Sequence, residues 1–237
     1  MKKVILLAIM AVATTTILQA QYRSQPKSSR MGIRFGGNIN KVVSTTEEKS
    51  DSGDGMLAFH LALTADFRLV GNLYLSTGAW YITKGDAHEY DGWENDTKYK
   101  SISSLSYIEA PLLASYIHPV SNTFRLRADV GGYAAYGLMG KYKTVKVNSS
   151  GLLAGLFESG EDYGDPFKKE DGEDYADVKR LDYGIRFGGA LELGKFTIGV
   201  GYDFGLANIL DGDPEFFKHH DYKSSTRSLL ITLGFNF

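Results

Sequence analysis

The chain has 237 residues, a formal net charge of −2, 27 Gly, 15 Tyr, 13 Phe and no Cys. Near-neutral charge removes the basic footprint of a nucleic-acid binder, and zero Cys removes both a disulfide framework and a lipid-anchored N-terminal Cys. No stretch after residue 20 approaches the roughly 18 to 20 apolar residues of a membrane helix, an exclusion that leaves short, half-polar membrane strands untouched.

The first predicted element is a leader. Met1-Lys2-Lys3 is basic, Val4 to Ala13 is apolar, and Thr14 to Ala20 leads to a cut before Gln21, with Leu18 an unusual residue at the −3 site. That order of regions reads as a secretory signal peptide whose apolar core is too short for a span. Residues 1–20 are therefore assigned to the signal peptide, 21–29 to a short periplasmic segment and 30–237 to one domain.

Eight segments with a two-residue period follow, the signature of strands with two unlike faces. Residues 31–39 place Met31, Ile33, Phe35 and Ile39 opposite Arg34 and Asn38. In 57–67, Leu57, Phe59, Leu61, Leu63, Ala65 and Phe67 oppose His60, Thr64 and Asp66. Residues 73–83 alternate less cleanly, because Trp80 and Ile82 share parity with Tyr74, Ser76 and Gly78. In 107–116, Ile108, Ala110, Leu112, Ala114 and Tyr116 oppose Glu109 and Ser115. In 124–138, Phe124, Leu126, Ala128, Val130 and Tyr136 oppose Arg125, Arg127 and Asp129. Residues 181–193 set Leu181, Tyr183, Ile185, Phe187, Leu191 and Leu193 against Asp182, Arg186 and Glu192. Residues 196–206 set Phe196, Ile198, Val200, Tyr202, Phe204 and Leu206 against Thr197 and Asp203. The last, "SLLITLGFNF" at 228–237, sets Leu229, Ile231, Leu233, Phe235 and Phe237 against Ser228, Thr232, Gly234 and Asn236.

Connections at 68–72, 117–123 and 194–195 are short; those at 40–55, 84–104, 139–179 and 208–226 are long and polar, and the two kinds alternate. This is the pattern of an all-β, eight-stranded antiparallel up-and-down transmembrane β-barrel with tight periplasmic turns and long outer loops. A two-residue turn at Gly194-Lys195 would place Arg186 opposite Asp203, Gly188 opposite Gly201 and Phe187 opposite Tyr202, satisfying both faces in one register. By parity His60 points inward, opposite Trp80 if residues 67 and 73 flank their turn. The last strand must pair with the first to close the ring.

A soluble lipocalin-like barrel would turn the charged face outward. Three features favour the reverse. The minority face carries both signs, with Arg34, Asp66, Glu109, Arg125, Arg127, Asp129, Asp182, Arg186, Glu192 and Asp203 forming an expected lumen network and Lys almost absent. That face is rich in Gly, including Gly184, Gly188, Gly199, Gly201 and Gly205, which lets a narrow wall close. Aromatics gather in two belts: Phe67, Tyr116, Phe124, Phe196 and Phe237 at the short-turn rim, and Tyr81, Tyr136, Tyr183 and Phe204 near the long-loop rim. Turning the charged face to lipid would cost about 2 to 4 kcal/mol for each Arg near the midplane.

"SYIEAPLLASY", "RLDYGIRFGGALEL", "GVGYDFGL" and "ITLGFNF" resemble the small eight-stranded outer-membrane barrel proteins of the porin family, or outer-membrane-protein β-barrel domain, over residues 22–237. These motifs mark strands rather than a reaction. The resemblance implies the bacterial outer membrane, contact with its lipid, and a C-terminal signal read by the assembly machinery, matched by Ile231, Leu233, Phe235 and Phe237.

The residues offer little chemistry. No GxSxG occurs, and His88, His118, His219 and His220 fall in connections. His219-His220 with Asp211, Asp213 and Asp221 is weak as a metal site because adjacent His point apart. The acidic 158–177 stretch lacks Ca²⁺-loop spacing, although it suits contact with cation-bridged lipopolysaccharide. "GLMGKYKT" fails as a phosphate loop because Tyr142 follows Lys141. The expectation is therefore no catalytic, cofactor or metal site, and an eight-stranded lumen filled by its own side chains. A structural or surface-contact role follows, for a monomer using loop 139–179 for any ligand. A narrow diffusion pore is the second reading and a barrel-embedded lipid enzyme the third.

Overall fold

The computed structural model describes residues 29–45, 50–52, 55–91, 98–146, 161–162, 164–167, 178–210 and 223–237. The leader, the pair His219-His220 and most of the acidic 158–177 stretch lie outside them. The strands in chain order are β1 (Ser29–Thr45), β2 (Ser50–Ser52), β3 (Met56–Val70), β4 (Leu73–Asp91), β5 (Lys98–Pro119), β6 (Phe124–Lys146), β7 (Glu161–Asp162), β8 (Leu181–Leu193), β9 (Phe196–Gly205) and β10 (Lys223–Asn236). Eight of them make an up-and-down wall, while the short β2 and β7 pair with the outer ends of β1 and β6.

Every wall strand is antiparallel to its neighbours, and β10 closes on β1 from Gly32↔Asn236 to Thr45↔Lys223. Closure leaves no free edge along the paired span, the condition for a sheet in lipid. The β8–β9 hairpin turns at Gly194, whose φ of 61° suits a residue without Cβ. Arg186 faces Asp203, Phe187 faces Tyr202 and Gly188 faces Gly201, the register that the two-residue turn requires.

The His60 pairing differs from expectation. His60 lies opposite Ile82, and Trp80 opposite Ala62. Arg68 to Val70 belong to β3 rather than to the turn, which tightens to Gly71-Asn72, and a bulge between Arg68 and Val70 absorbs one residue. The His60 and Trp80 rings still meet diagonally at 5.4 Å. The expected long connections are also shortened by strand: β4 and β5 pair to Asp91↔Lys98, and β5 and β6 to Tyr99↔Lys146. Beyond the bilayer a strand has no lipid-facing side to keep apolar, so "KYKSISSLS" pairs without the alternation that marked the span.

The outward stripe is apolar and open, with Leu63 61%, Leu112 59%, Val200 55% and Ile231 55% exposed. A continuous girdle of this kind is matched by hydrocarbon rather than by water. Tyr81 and Tyr136 both pair with Ile108, and Tyr136 pairs with Leu181, so these two outer tyrosines stand on one row of paired residues. At the other rim Phe196 meets Phe235 edge-on at 5.5 Å, and Phe235 meets Phe237 at 5.8 Å. The buried core is the lumen itself.

Candidate functional site

Inward parity on eight strands brings the charged residues into two stacked layers. In the layer nearer the short turns, Arg30 joins Asp66 and Glu192, both at 2.8 Å. Arg127 grips Asp66 at 2.9 Å and Asp129 at 2.8 Å, and Arg125 reaches Glu192 at 3.0 Å. Ser76 donates to Asp66 at 2.6 Å, and the Ser115 hydroxyl, with its single proton, lies between the Ser76 oxygen at 2.7 Å and the Asp129 carboxylate. Arg34 donates to Asn236 at 2.6 Å and has no acid within ion-pair distance among the described residues.

The layer above it is drier. Arg186 forms a forked pair with Asp203 at 2.5 and 2.6 Å and reaches Glu109 at 2.5 Å. The Lys84 ammonium lies 2.8 Å from Glu109, 3.0 Å from Asp182 and 3.8 Å from Asp203. Lys84, Asp182 and Asp203 are fully buried, and Glu109 and Arg186 nearly so. Aromatic faces complete the cage: Arg186 lies 4.6 Å above Trp80, and Lys84 lies 4.1 Å above Tyr133. Carboxylates in so narrow a space require cations, because an unpaired buried charge costs several kcal/mol.

Two cations of this network escape sequence reading. Arg30 stands one residue before the first alternating segment, and Lys84 one residue after the third. Both had a usable signal, since Arg30 continues the even parity of Arg34, and Lys84 that of Trp80 and Ile82. Lys84 is the one that matters most, because it joins Glu109, Asp182 and Asp203 at the lumen axis. With it, Arg186 and Lys84 oppose three acids in the upper layer, while Arg30, Arg34, Arg125 and Arg127 oppose Asp66, Asp129 and Glu192 in the lower.

A cavity of about 90 Å³ lies between the layers, lined by Arg34, Arg127, Arg186 and Trp80 among others. Above the upper layer the long outer segment folds back. Phe167 covers Gly137, where a Cβ would meet its ring, and contacts Tyr107 edge-on at 5.8 Å. Asp165 accepts from the Gly140 and Phe167 amides at 2.9 and 3.1 Å, and Arg180 lies 5.0 Å above the Phe167 ring. Beside the mouth, burial raises the Asp86 carboxyl above its ordinary value, opposed by His88 at 3.0 Å.

One contact has the outline of a nucleophile and a base. His60 Nε2 lies 3.0 Å from the Thr232 hydroxyl, with Nδ1 3.4 Å from Asn38. His60 is 1% exposed and stacks beside Trp80, so the pair is enclosed by the lumen side chains around it. Among the described residues no group of three or more His, Asp or Glu side chains is arranged to hold a metal ion.

The profile of the family described as "Outer membrane protein beta-barrel domain" matches residues 19–211. Among solved structures, the chain is similar to Ail, the attachment invasion locus protein of Yersinia pestis, at 12% identity, covering 89% of this chain and 99% of that one, with a TM-score of 0.37. It is also similar to OprG of Pseudomonas aeruginosa at 12% identity, 89% and 96% coverage and a TM-score of 0.40. Neisserial surface protein A matches at 12% identity, 87% and 95% coverage and a TM-score of 0.35. Identities this low carry nothing about activity. Among curated proteins no match emerges.

Proposed function

The chain belongs to the outer membrane protein β-barrel domain family, and from that premise we propose that it serves the bacterial outer membrane as a structural and surface-contact element with a plugged lumen. The observation that carries this reading is the buried knot of Lys84, Arg186, Glu109, Asp182 and Asp203 at mid-lumen. Opening a path through it would separate charges that have little water to replace their partners. Catalysis is not part of the reading. Contact with partners falls to the outer loops, with 139–179 the longest, on a monomeric barrel delivered by a leader at 1–20. Purified protein in planar bilayers is expected to show no sustained large conductance; stable nanosiemens-scale steps would overturn the plugged lumen.

Assembly is proposed to depend on the terminal pattern Ile231, Leu233, Phe235 and Phe237. The Phe237 amide also donates to the Met31 carbonyl at 2.9 Å, so the last residue helps hold the seam of the ring. Deleting Phe237 is expected to lower outer-membrane levels more than deleting residues 147–160 from the longest loop. Equal levels in fractionated membranes would refute the proposal.

A further inference from the structure

The lumen cavity between the two charged layers is one-sided in its hydrogen bonding. Two buried N–H donors of its lining residues, Arg186 Nη1 and Trp80 Nε1, have no partner among the described residues. Arg186 spends Nε and Nη2 on Asp203 and Glu109, which leaves Nη1 on the other edge of the guanidinium. That guanidinium lies 4.6 Å above the Trp80 ring, so the two donors are neighbours. Arg186 is 4% and Trp80 9% exposed. No acceptor on this lining is orphaned in the same way: the unpartnered oxygens belong to Tyr107, Glu109 and Asp182, none of which lines the cavity.

Charge is one-sided in the same sense. Arg34, Arg127 and Arg186 line the cavity against Asp66 and Asp129, three guanidinium groups to two carboxylates. Both carboxylates are already engaged by Arg127, and Asp66 also by Arg30. Arg34, 6% exposed, donates to neutral oxygens: the Ile33 and Phe235 carbonyls at 3.1 and 3.4 Å and Asn236 at 2.6 Å. The surplus acid of the upper layer gathers around Lys84, and none of Glu109, Asp182 and Asp203 lines the cavity. A buried cation with neutral partners carries a desolvation cost that an anion beside it would offset.

We propose that this cavity binds a small inorganic anion, a halide such as chloride, with Arg34, Arg186 Nη1 and the Trp80 indole N–H as its donors. Water would accept from these donors yet bring protons that need acceptors, whereas a halide only accepts. The space exists because inward positions lack side chains, as where Gly188 faces Gly201 across β8 and β9. A Cβ at Gly201 would meet nothing nearer than the Phe187 carbonyl at 3.7 Å, so wall closure does not demand glycine there. At about 90 Å³ the cavity has room for a halide beside a water, whose share of the liquid is ~30 Å³. The approach is from the short-turn side, where the Asp129 and Arg125 side chains are 15% and 34% exposed and the arginines attract anions. The Lys84 knot lies on the other side, so conductance tests the plug and leaves this site to a test of its own.

The test uses the full chain folded in detergent micelles, where both ends of the barrel meet solvent. Trp93→Phe leaves Trp80 as the single tryptophan reporter. Iodide, which quenches indole on contact, is titrated in place of gluconate at constant ionic strength. The expected result is saturable quenching of Trp80 that added chloride relieves by competition. Arg34→Gln, or separately Gly201→Val to fill the space, should abolish the saturable phase in chains that keep the heat-dependent gel shift of a folded barrel. Exchange of gluconate for chloride should also raise the urea midpoint of the unsubstituted chain, a readout that needs no variant. Quenching that rises linearly with iodide, quenching that chloride does not relieve, or an unchanged urea midpoint overturns the proposal. Saturable quenching that survives in folded Arg34→Gln overturns it as well.

Discussion

Two hairpins of the same wall behave differently. β8–β9 is low and regular: its residues alternate strictly, its turn has two residues, and Arg186 pairs with Asp203 across one rung. β4–β5 is tall and bent: it continues well past the outer belt, breaks from β3, and carries Lys84 to the lumen axis. Both present lipid-facing apolar residues lower down, so the membrane treats them alike. What separates them is what lies above the bilayer, where β4–β5 is free to turn inward and become the roof of the lumen. One hairpin supplies wall only, and the other also sends Lys84 among the lumen acids.

The largest effect is expected at Lys84. Lys84→Met leaves Glu109, Asp182 and Asp203 with Arg186 as their remaining cation in the layer, and should cost about 3 to 5 kcal/mol, the usual penalty for removing one partner of a buried ionic cluster. Urea unfolding in lipid vesicles, followed by gel mobility, measures it. A loss under about 1 kcal/mol would show that Lys84 does not hold the buried acids together.

Val200→Arg probes the regular hairpin, where Val200 sits near mid-span between Gly189 and Ile231. The expected cost is about 2 to 4 kcal/mol by the same unfolding measurement, because a guanidinium would face hydrocarbon. A neutral result would mean that this face does not meet lipid. Gly85→Val sharpens the contrast at smaller scale: about 1 to 3 kcal/mol, the size of local backbone strain, together with slower refolding of the outer half. The equivalent change at Gly132, where a Cβ meets only the Gly184 carbonyl at 3.6 Å, should be close to neutral.

How far the sequence carries the reader follows the same division. In β8, in β9 and in β10 from Ser228 onward, apolar outward residues alternate with inward ones of the packed lumen, so parity alone assigns the faces. In β4 the rule weakens, because Thr83 and Ala87 are outward by parity yet covered by β3, and no local pattern announces a strand passing beneath its neighbour. Lys84 sits where a polar loop was expected, and its role depends on acids from β5, β8 and β9 that are distant in sequence. Arg68 to Val70 read as a turn for a similar reason: a bulge changes register without changing composition. Alternation therefore reports the solvent on either side of a strand, and stops reporting when one strand becomes the solvent of another.

The seam between β1 and β10 sets the order of events in the life of the molecule. Ring closure joins the first wall strand in the chain with the last, so β1 stays unpaired on one side until β10 has been made. Pairing across so long a stretch of chain is slow compared with the local hairpins. Until it happens the protein is an open sheet with two sticky borders and an uncovered row of carboxylates and guanidinium groups. A chain stopped before β10 has no partner for the second edge of its first strand.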